Sequence, residues 1–267
     1  MKKLTAEQIE TNWQTLIDII EKYISEDRKE NLLKMYEDLK DRMMFAPASA
    51  KGHYHNAMPG GYVEHILHII SHSLELKEMW EKNDAMINFT EEELVFAAMH
   101  HDLGKVGDMD KDYYVPQESE WHRKNQGSIF THNGELQYMT VTDRAIFLLN
   151  QFGIKMSENE YIGLRLTDGL YEEANKSYYI SWNPEWSLKS NIAYILHQAD
   201  SMATHIEYDM WKYGVEKSEK KHQEKYQSLL GNLKTDDSES KEKSVEVKED
   251  NLNKKSKDLF NELFGDA

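Results

Sequence analysis

The sequence predicts an all-α fold, a helical bundle followed by a disordered C-terminal tail. Apolar residues recur at helical spacing through most of the chain before Gly214. Three capping boxes, in which a Ser or Thr is followed three residues later by Glu or Gln, mark helix starts. Glycine and proline are scarce, at 13 and 4 residues, and the only strand-like runs are the short segments Tyr113–Pro116 and Ser177–Ser181. Together these observations favour helices over an all-β chain.

Residues 1–46 are predicted to form a helical pair that packs on the core. Thr5 and Gln8 make the first capping box, and Pro47 follows the second helix. The apolar positions that define the two helices are Ile9, Trp13, Leu16, Ile20, Tyr23 and Ile24, then Leu32, Leu33, Met35, Tyr36, Leu39 and Met43.

Residues 47–215 are predicted to form the main domain. A loop over 46–61 is rich in glycine and proline. The predicted helices after it run from about Tyr62 to Glu81, from Thr90 to His101, from Thr142 to Phe152, from Ser157 over a short span, and from about Leu188 to Tyr213. Residues 105–138 are irregular, with room for a short hairpin.

The composition narrows the chemistry open to the chain. It has no cysteine, which excludes disulfides, thiolate zinc sites, iron–sulfur clusters and a thiol nucleophile. The formal net charge of −16 argues against a protein that wraps nucleic acid by bulk positive charge. No apolar run approaches the roughly 20 residues of a membrane span, and the N-terminus is no signal peptide. We therefore expect a cytoplasmic protein without membrane contact.

The tail, residues 216–267, is close to neutral. It holds 13 acidic and 11 basic residues, against 35 and 21 in residues 1–215, so the negative charge belongs to the body. Large apolar residues are nearly absent from 233–256, so the segment 217–256 cannot offset its ordering entropy and is predicted to be a disordered linker.

Histidine and aspartate are the remaining residues that could hold a transition metal. Eleven of the 12 histidines lie between His53 and His205. His65, the adjacent pair His101 and Asp102, and Asp200 fall on three predicted helices, and this donor set suits Mn²⁺, Mg²⁺, Fe²⁺, Ni²⁺ or Zn²⁺. Adjacent residues of a regular helix point about 100° apart, but at a helix end both can turn to one metal.

Gly104 and Lys105, which follow this pair closely in the sequence, support the same interpretation. Gly104 is predicted to take the left-handed conformation that ends a helix. Lys105 then places a cation where a phosphate oxygen could sit, although a solvated cation at a helix end would explain it as well.

The ordered pattern resembles the HD superfamily of metal-dependent phosphohydrolases, whose signature is H…HD…D on an all-α core. The signature falls on His65, His101, Asp102 and Asp200, and His-Asp-Leu-Gly-Lys at 101–105 is close to the usual form of the family motif. The resemblance covers roughly residues 50–210. It implies that 47–215 is an HD-type catalytic domain with a divalent metal cofactor held by these four residues.

The lead-in to His65 narrows the resemblance to a subgroup. This subgroup contains bacterial 3′→5′ exoribonucleases and related phage proteins, and the matching residues are Ala57, Pro59, Gly60, Gly61, Glu64 and His65. Where relatives often show a His-His-Gly run, this chain has Thr167, Asp168 and Gly169, so we expect one firm metal. The candidates for a second metal or for supporting the first are His122, Asp168 and His197, with His132 also open as a second-metal ligand.

The resemblance also implies a mechanism in which a water held at the metal attacks phosphorus. Asp102 and Asp200 would orient or deprotonate that water. Lys105 and His132, with Arg123 and Lys124, would neutralise phosphate oxygens. His132 is also a candidate acid for the leaving oxygen, because the pKa of histidine lies near neutral pH.

Several aromatic and histidine residues have a structural interpretation beside the functional one. His68, His72 and His100 are best explained as packing or supporting residues. His53, His55 and His197 are open between a functional and a structural role. Trp121, Trp182 and Trp186 could stack a nucleobase, but aromatics in such a chain are more often part of the core.

The last 12 residues, 256–267, carry one short apolar face. Leu259, Phe260, Leu263 and Phe264 suit an amphipathic turn that docks in a groove. The segment resembles the C-terminal peptides with which phage polymerases and transcription factors bind their sliding clamp. Docking back on the chain's own body or on a second copy is equally open.

The sequence thus predicts a metal-dependent phosphohydrolase that acts on a nucleotide or a single-stranded nucleic acid. The lead-in and the tail favour a 3′→5′ exonuclease. The acidic body favours a nucleotide phosphohydrolase, because a polyanion would be repelled. An adaptor with weak activity that presents the tail to a replication protein is a third possibility.

Overall fold

The computed structural model describes residues 4–213 and 228–231, and it confirms the all-α fold. The helices are α1 Ala6–Tyr23, α2 Glu26–Asp38, α3 Lys40–Phe45, α4 Gly61–Lys82, α5 Glu91–His100, α6 Glu120–Gln126, α7 Val141–Gln151, α8 Glu158–Arg165, α9 Lys176–Tyr179 and α10 Ile192–Tyr213. Short 3₁₀ turns complete the helical content, among them Leu103–Val106 directly after α5. None of the described helices is both long and apolar enough to cross a membrane.

The helix starts follow the predicted capping chemistry. In each box the first side chain accepts from the backbone N–H three residues on, and the Glu or Gln side chain accepts from the first residue's own N–H. The three boxes are Thr5 with Gln8, Thr90 with Glu93, and Ser157 with Glu160.

Two local predictions are wrong. The second predicted helix is broken into α2 and α3 at Leu39, which leaves helical geometry yet stays buried with Met35 and Met43 on either side. The strand-like run at 177–181 begins as helix α9 instead, where Tyr179 donates its hydroxyl to the Leu166 carbonyl at 2.9 Å. Tertiary contacts outweigh weak local propensity at both places.

Helix α4 forms the centre of the domain. Its residues from Gly61 to Ser73 are all buried, as expected for a helix covered on every side. α5 and α10 both pack against α4, and α8 packs on α5 and α10. This arrangement brings His65 on α4, the end of α5 and Asp200 on α10 to a common region.

The irregular segment between α5 and α7 contains the short hairpin that the sequence allowed. Strands β1 (Tyr114–Pro116) and β2 (Phe130–His132) pair antiparallel, with Tyr114 opposite His132. Helix α6 lies between the strands in the chain and has no buried residue. The hairpin and α6 therefore form an insertion between α5 and α7, outside the helical core.

Residues 228–231, the part of the predicted linker that the structure describes, contact α1. Leu229 is buried, and its carbonyl accepts hydrogen bonds from the Tyr23 hydroxyl at 3.3 Å and from Lys22 Nζ. The linker prediction therefore does not hold for residues 228–231. The predicted docking residues Leu259, Phe260, Leu263 and Phe264 lie outside the described residues.

Gly104 is required for a reason other than the predicted one. It lies in the 3₁₀ turn Leu103–Val106, and the left-handed residue after α5 is Gly107, at φ 109°. A Cβ on Gly104 would lie 2.0 Å from the Val141 carbonyl oxygen at the start of α7. The glycine therefore permits close contact between the turn that follows the His101–Asp102 pair and α7.

Replacing Gly104 with alanine should destabilise the fold by about 1–3 kcal/mol, because the backbone of α7 must move away from the added methyl group. Gly134→Ala is the matched control, since no atom lies within 4 Å of a Cβ at that position. Urea unfolding would measure both variants. Equal stabilities for the two would contradict the close contact described here.

Candidate metal centre

The structure brings the four predicted ligands together. His65 Nε2 lies 3.4 Å from Asp200 Oδ1 and 3.7 Å from Asp102 Oδ2, and His101 Nε2 lies 3.5 Å from Asp102 Oδ2. Donor atoms of His65, His101 and Asp200 are all within 4.8 Å of one another. Two imidazoles and two carboxylates therefore converge on one small volume.

The chain reaches this point through a tight turn before α4. Gly60 has a left-handed φ of 81°, and a Cβ on Gly61 would lie 2.0 Å from the Asn56 carbonyl oxygen. Only glycine allows both the turn and the close approach. Helix α4 therefore begins just early enough to place His65 in its second turn, inside the core.

The adjacent pair reaches the site because α5 ends there. His101 still has helical geometry, whereas Asp102 has φ −105° and ψ 9° and begins the following turn. This change of backbone direction lets both side chains point to the same cluster, as the sequence predicted.

In both His65 and His101, a hydrogen bond at Nδ1 leaves Nε2 as the atom that can bind a metal. His101 Nδ1 lies 2.9 Å from the Ala98 carbonyl, and His65 Nδ1 lies 3.0 Å from a Glu207 carboxylate oxygen. Each Nδ1 must carry the hydrogen to donate to these acceptors, so each Nε2 presents a lone pair to the cluster when the ring is neutral. Both Nε2 atoms are buried and make no hydrogen bond in the described part of the chain.

This arrangement fits a divalent cation. A buried polar atom without a partner costs about 1–3 kcal/mol, so two such atoms facing two carboxylates indicate a site that is completed by a ligand. Imidazole nitrogen and carboxylate oxygen suit several first-row divalent ions, so the donor set alone does not choose among them.

Glu207 is a site residue that the sequence interpretation missed. It lies seven residues after Asp200, about two turns further along the same face of α10. Its carboxylate is buried and accepts from His65 Nδ1 at 3.0 and 3.1 Å and from His68 Nδ1 at 2.6 Å. Carboxylates that hold ligating histidines in this way fix ring orientation and raise ligand basicity. The seven-residue spacing was the available signal.

The charges in the cluster are strongly coupled. Burial disfavours the protonated ring, but the carboxylates of Glu207 and Asp200 outweigh it and raise the pKa of His65 to about 10. Burial also disfavours charged Asp200, yet the imidazole of His65, whose Nε2 lies 3.4 Å from Asp200 Oδ1, holds the pKa of Asp200 well below the ordinary value. In the metal-free protein a proton on His65 therefore balances part of the carboxylate charge.

Lys105 is part of the cluster. Its Nζ lies 2.6 Å from Asp102 Oδ2, and both side chains are largely buried. Burial opposes both charges, but the pairing raises the pKa of Lys105 and lowers that of Asp102. The ammonium is thus held beside the ligands and is not a solvated helix-end cation.

His55 also reaches the cluster. Its donor atom lies within 4.8 Å of those of His65 and Asp102, and its ring centroid is 4.7 Å from that of His65. Burial, together with the positive charges of His65 and Lys105, lowers the pKa of His55 to about 3. The sequence left its role open between substrate contact and loop capping.

The hairpin residues make other contacts. His132 is exposed and packs against the rings of Tyr113 and Tyr114, with centroids 4.8 and 5.5 Å away. On α6, His122 lies 2.8 Å from Ser119 Oγ, Arg123 donates to the Gln117 carbonyl, and Lys124 pairs with Glu120 at 3.1 Å. Neither His122 nor His132 is among the described side chains that group as candidate ligands. The phosphate contacts predicted for His132, Arg123 and Lys124 stay predictions.

His197 and Asp168 lie at the edge of the cluster. His197 Nδ1 is 2.6 Å from the Thr167 carbonyl, and Gly169 sits so close to this ring that a Cβ would be 2.6 Å from it. Burial first, then the negative charges of Asp102 and Asp200, raise the pKa of Asp168. These contacts suit supporting residues, and neither side chain is among the grouped ligands in the described chain.

Of the other residues for which a structural role was expected, His100 has that role and three tryptophans do not. His100 is fully buried, with Nδ1 2.7 Å from the Phe96 carbonyl and Nε2 3.4 Å from the Tyr36 hydroxyl, which confirms a packing role. In contrast, the expectation that the three tryptophans belong to the core is wrong. Trp121, Trp182 and Trp186 are 60%, 97% and 78% exposed.

No protein-family model, no curated protein and no solved structure matches the chain.

Changing Glu207 to glutamine should weaken Mn²⁺ binding by about 10–100-fold, the range found for residues that support metal ligands. The amide keeps the volume of the side chain but removes the negative charge of the carboxylate, to which the imidazoles of His65 and His68 donate hydrogen bonds. Isothermal titration calorimetry would give the Kd. Glu78→Gln, at an exposed ion pair with Lys82 on α4, should leave the Kd unchanged, and a similar loss in both variants would argue against the role of Glu207.

Metal binding should strengthen with rising pH between about 6.5 and 8.5, by up to tenfold per pH unit. The reason is that His65 is protonated below its raised pKa of about 10 in the metal-free protein, whereas a ligating Nε2 must be unprotonated. Calorimetry in buffers of different ionisation enthalpy would count the proton released. A Kd independent of pH in this range, with no proton released, would contradict the charge balance described here.

Proposed function

We propose that the chain is a metal-dependent phosphohydrolase of the HD type, acting on a phosphoester of a nucleotide or a nucleic acid. The observation that carries the proposal is the convergence of His65, His101, Asp102 and Asp200, together with two buried Nε2 atoms that have no hydrogen-bond partner among the described residues. The order of these residues in the sequence supports the same class independently.

The four side chains would hold one divalent cation, whose identity among Mn²⁺, Mg²⁺, Fe²⁺, Ni²⁺ and Zn²⁺ is open. A cation in such a site supplies Lewis-acid chemistry, lowering the pKa of water and neutralising charge on phosphoryl oxygens. Asp102 and Asp200 are suited to accept a hydrogen bond from the attacking water, because their pKa values are lowered and they stay ionised at neutral pH. Glu207 keeps His65 oriented throughout.

Lys105 is the best candidate for the group that contacts the phosphate. Its ammonium has three hydrogens, and only one is needed for the 2.6 Å contact with Asp102. Phosphoryl transfer depends mainly on positioning and on stabilising charge at the phosphoryl oxygens. A buried ammonium 2.6 Å from the Asp102 carboxylate meets that need.

The exposed tryptophans favour a nucleobase-containing substrate. Trp182 and Trp186 occupy one short segment, and indole rings stack on bases without sequence preference. Single-stranded nucleic acid, as for a 3′→5′ exonuclease, and a free nucleotide share this chemistry. The acidic body favours the nucleotide, because the phosphates of a longer strand meet more repulsion.

The proposal is tested by incubating the purified protein with Mn²⁺ and single-stranded DNA, RNA, dNTPs or cyclic dinucleotides. We expect metal-dependent release of product from at least one substrate, measured by chromatography. Asp102→Asn keeps the size of the side chain and should lower the rate at least about 100-fold, since loss of transition-state charge stabilisation costs that much or more.

The control is Lys82→Gln, which removes an exposed cation paired with Glu78 near the end of α4. It should leave hydrolysis of a dNTP unchanged. If no substrate is cleaved faster by the wild-type protein than by Asp102→Asn with any of the five metals, the hydrolase proposal fails.

A further inference from the structure

His55 has a buried donor atom that the four predicted ligands do not account for. Its Nε2 is buried and makes no hydrogen bond in the described part of the chain, the same condition as His65 Nε2 and His101 Nε2. It belongs to a group with His65 and Asp102 whose donor atoms are within 4.8 Å of one another. Three partnerless imidazole nitrogens therefore lie in one cluster with two carboxylates.

The loop before α4 holds His55 in this position by its backbone. Ser49 Oγ donates to the His55 carbonyl at 2.7 Å, and the Ala48 N–H donates to the Asn56 carbonyl at 3.1 Å. Asn56 has a φ of 43°, a left-handed conformation that costs a non-glycine residue free energy. Gly61 closes against the Asn56 carbonyl, so the next helix covers the same peptide.

The loop is also tied to the segment between α6 and β2. Lys51 forms an isolated bridge with Ser128, and the Gly52 N–H donates to the Gly127 carbonyl at 2.8 Å. A strained residue persists only where its surroundings determine the conformation. Here the strain sits directly beside the histidine whose donor atom faces the cluster.

The shared residue indicates that the two candidate groups describe one site. His65 appears in both groups, and its Nδ1 is engaged by Glu207, so only Nε2 is available for a metal. One nitrogen lone pair binds one cation. A cation at His65 Nε2 would therefore lie beside both groups, with His101 and Asp200 in one and His55 and Asp102 in the other.

We propose that His55 is a fifth protein ligand of this single cation, which gives a site of three histidines and two aspartates. The inference rests on the proposed metal site of the preceding section. Five protein donors exceed the four of a tetrahedral zinc site, so the set favours a six-coordinate ion such as Mn²⁺, Fe²⁺ or Ni²⁺. One position is then left for water or a phosphate oxygen.

The alternative is that His55 only packs on the ring of His65, at an interplanar angle of 33°. That role would explain burial of the ring, but not a buried Nε2 that has no hydrogen-bond partner among the described residues and lies beside a carboxylate. The two roles also differ in which substitution or added molecule can restore them. Glutamine preserves much of the packing, whereas only an added imidazole restores the missing nitrogen donor.

The test measures Mn²⁺ affinity by calorimetry and the visible absorption of bound Co²⁺, in the full-length protein. We expect His55→Gln and His55→Gly to weaken Mn²⁺ binding at least about 10-fold, the lower end for residues around a metal. Both should change the Co²⁺ bands, and added imidazole should restore the wild-type bands in His55→Gly. His53→Ala is the control, since His53 contacts Tyr54 and Trp211 and is in neither ligand group.

Each outcome decides between the possibilities. Wild-type Mn²⁺ affinity and Co²⁺ bands in His55→Gln would overturn the assignment of His55 as a ligand while leaving the four-residue site intact. Weaker binding with wild-type Co²⁺ bands, and no response to imidazole, would also overturn it and would make His55 a packing residue. Absence of metal binding by the wild-type protein would overturn the proposed function itself, along with this inference.

Discussion

The packing of α10 against α4 around buried Glu207 is the constraint on which the site depends. A carboxylate that is 2% exposed must be compensated, and here two imidazoles of α4 do so. Removing one partner would leave a buried charge unpaired. The hydrogen bond from His65 Nδ1 to Glu207 also orients the His65 ring. The contact that compensates the buried charge therefore also sets the geometry of a metal ligand.

This constraint also explains why the cluster tolerates so many charges. Asp102, Asp200 and Glu207 lie close together, and Lys105 and a protonated His65 are among the described groups that oppose their charge in the metal-free protein. The raised pKa of His65 and the lowered pKa of Asp200 are consequences of that balance. A divalent cation would supply the positive charge that the His65 proton otherwise provides, which is why proton release and metal binding are linked.

Much of the fold and the centre of the site could be predicted from the sequence. The capping boxes and apolar periodicity are local signals, and the structure follows them closely at α1, α5 and α8. His65, His101, Asp102 and Asp200 were found because their order along the chain is itself a pattern. The break at Leu39 and helix α9 were missed, because tertiary contacts decide both.

Glu207 was missed, and the role of His55 was left open, for a different reason. Their importance depends on three-dimensional contacts, a helix face in one case and a strained loop in the other, which single residues in a sequence do not display. His132, Arg123 and Lys124 lie on the hairpin and α6, and their predicted contacts with phosphate stay predictions.

The central claim is that one divalent cation is bound between α4, the end of α5 and α10. Anomalous diffraction from a crystal soaked in Mn²⁺ tests this most directly. The account predicts one strong peak about 2.0–2.4 Å from His65 Nε2, His101 Nε2 and the carboxylates of Asp102 and Asp200. A saturated crystal whose Mn²⁺ peak lies elsewhere, or that has no peak, would contradict it.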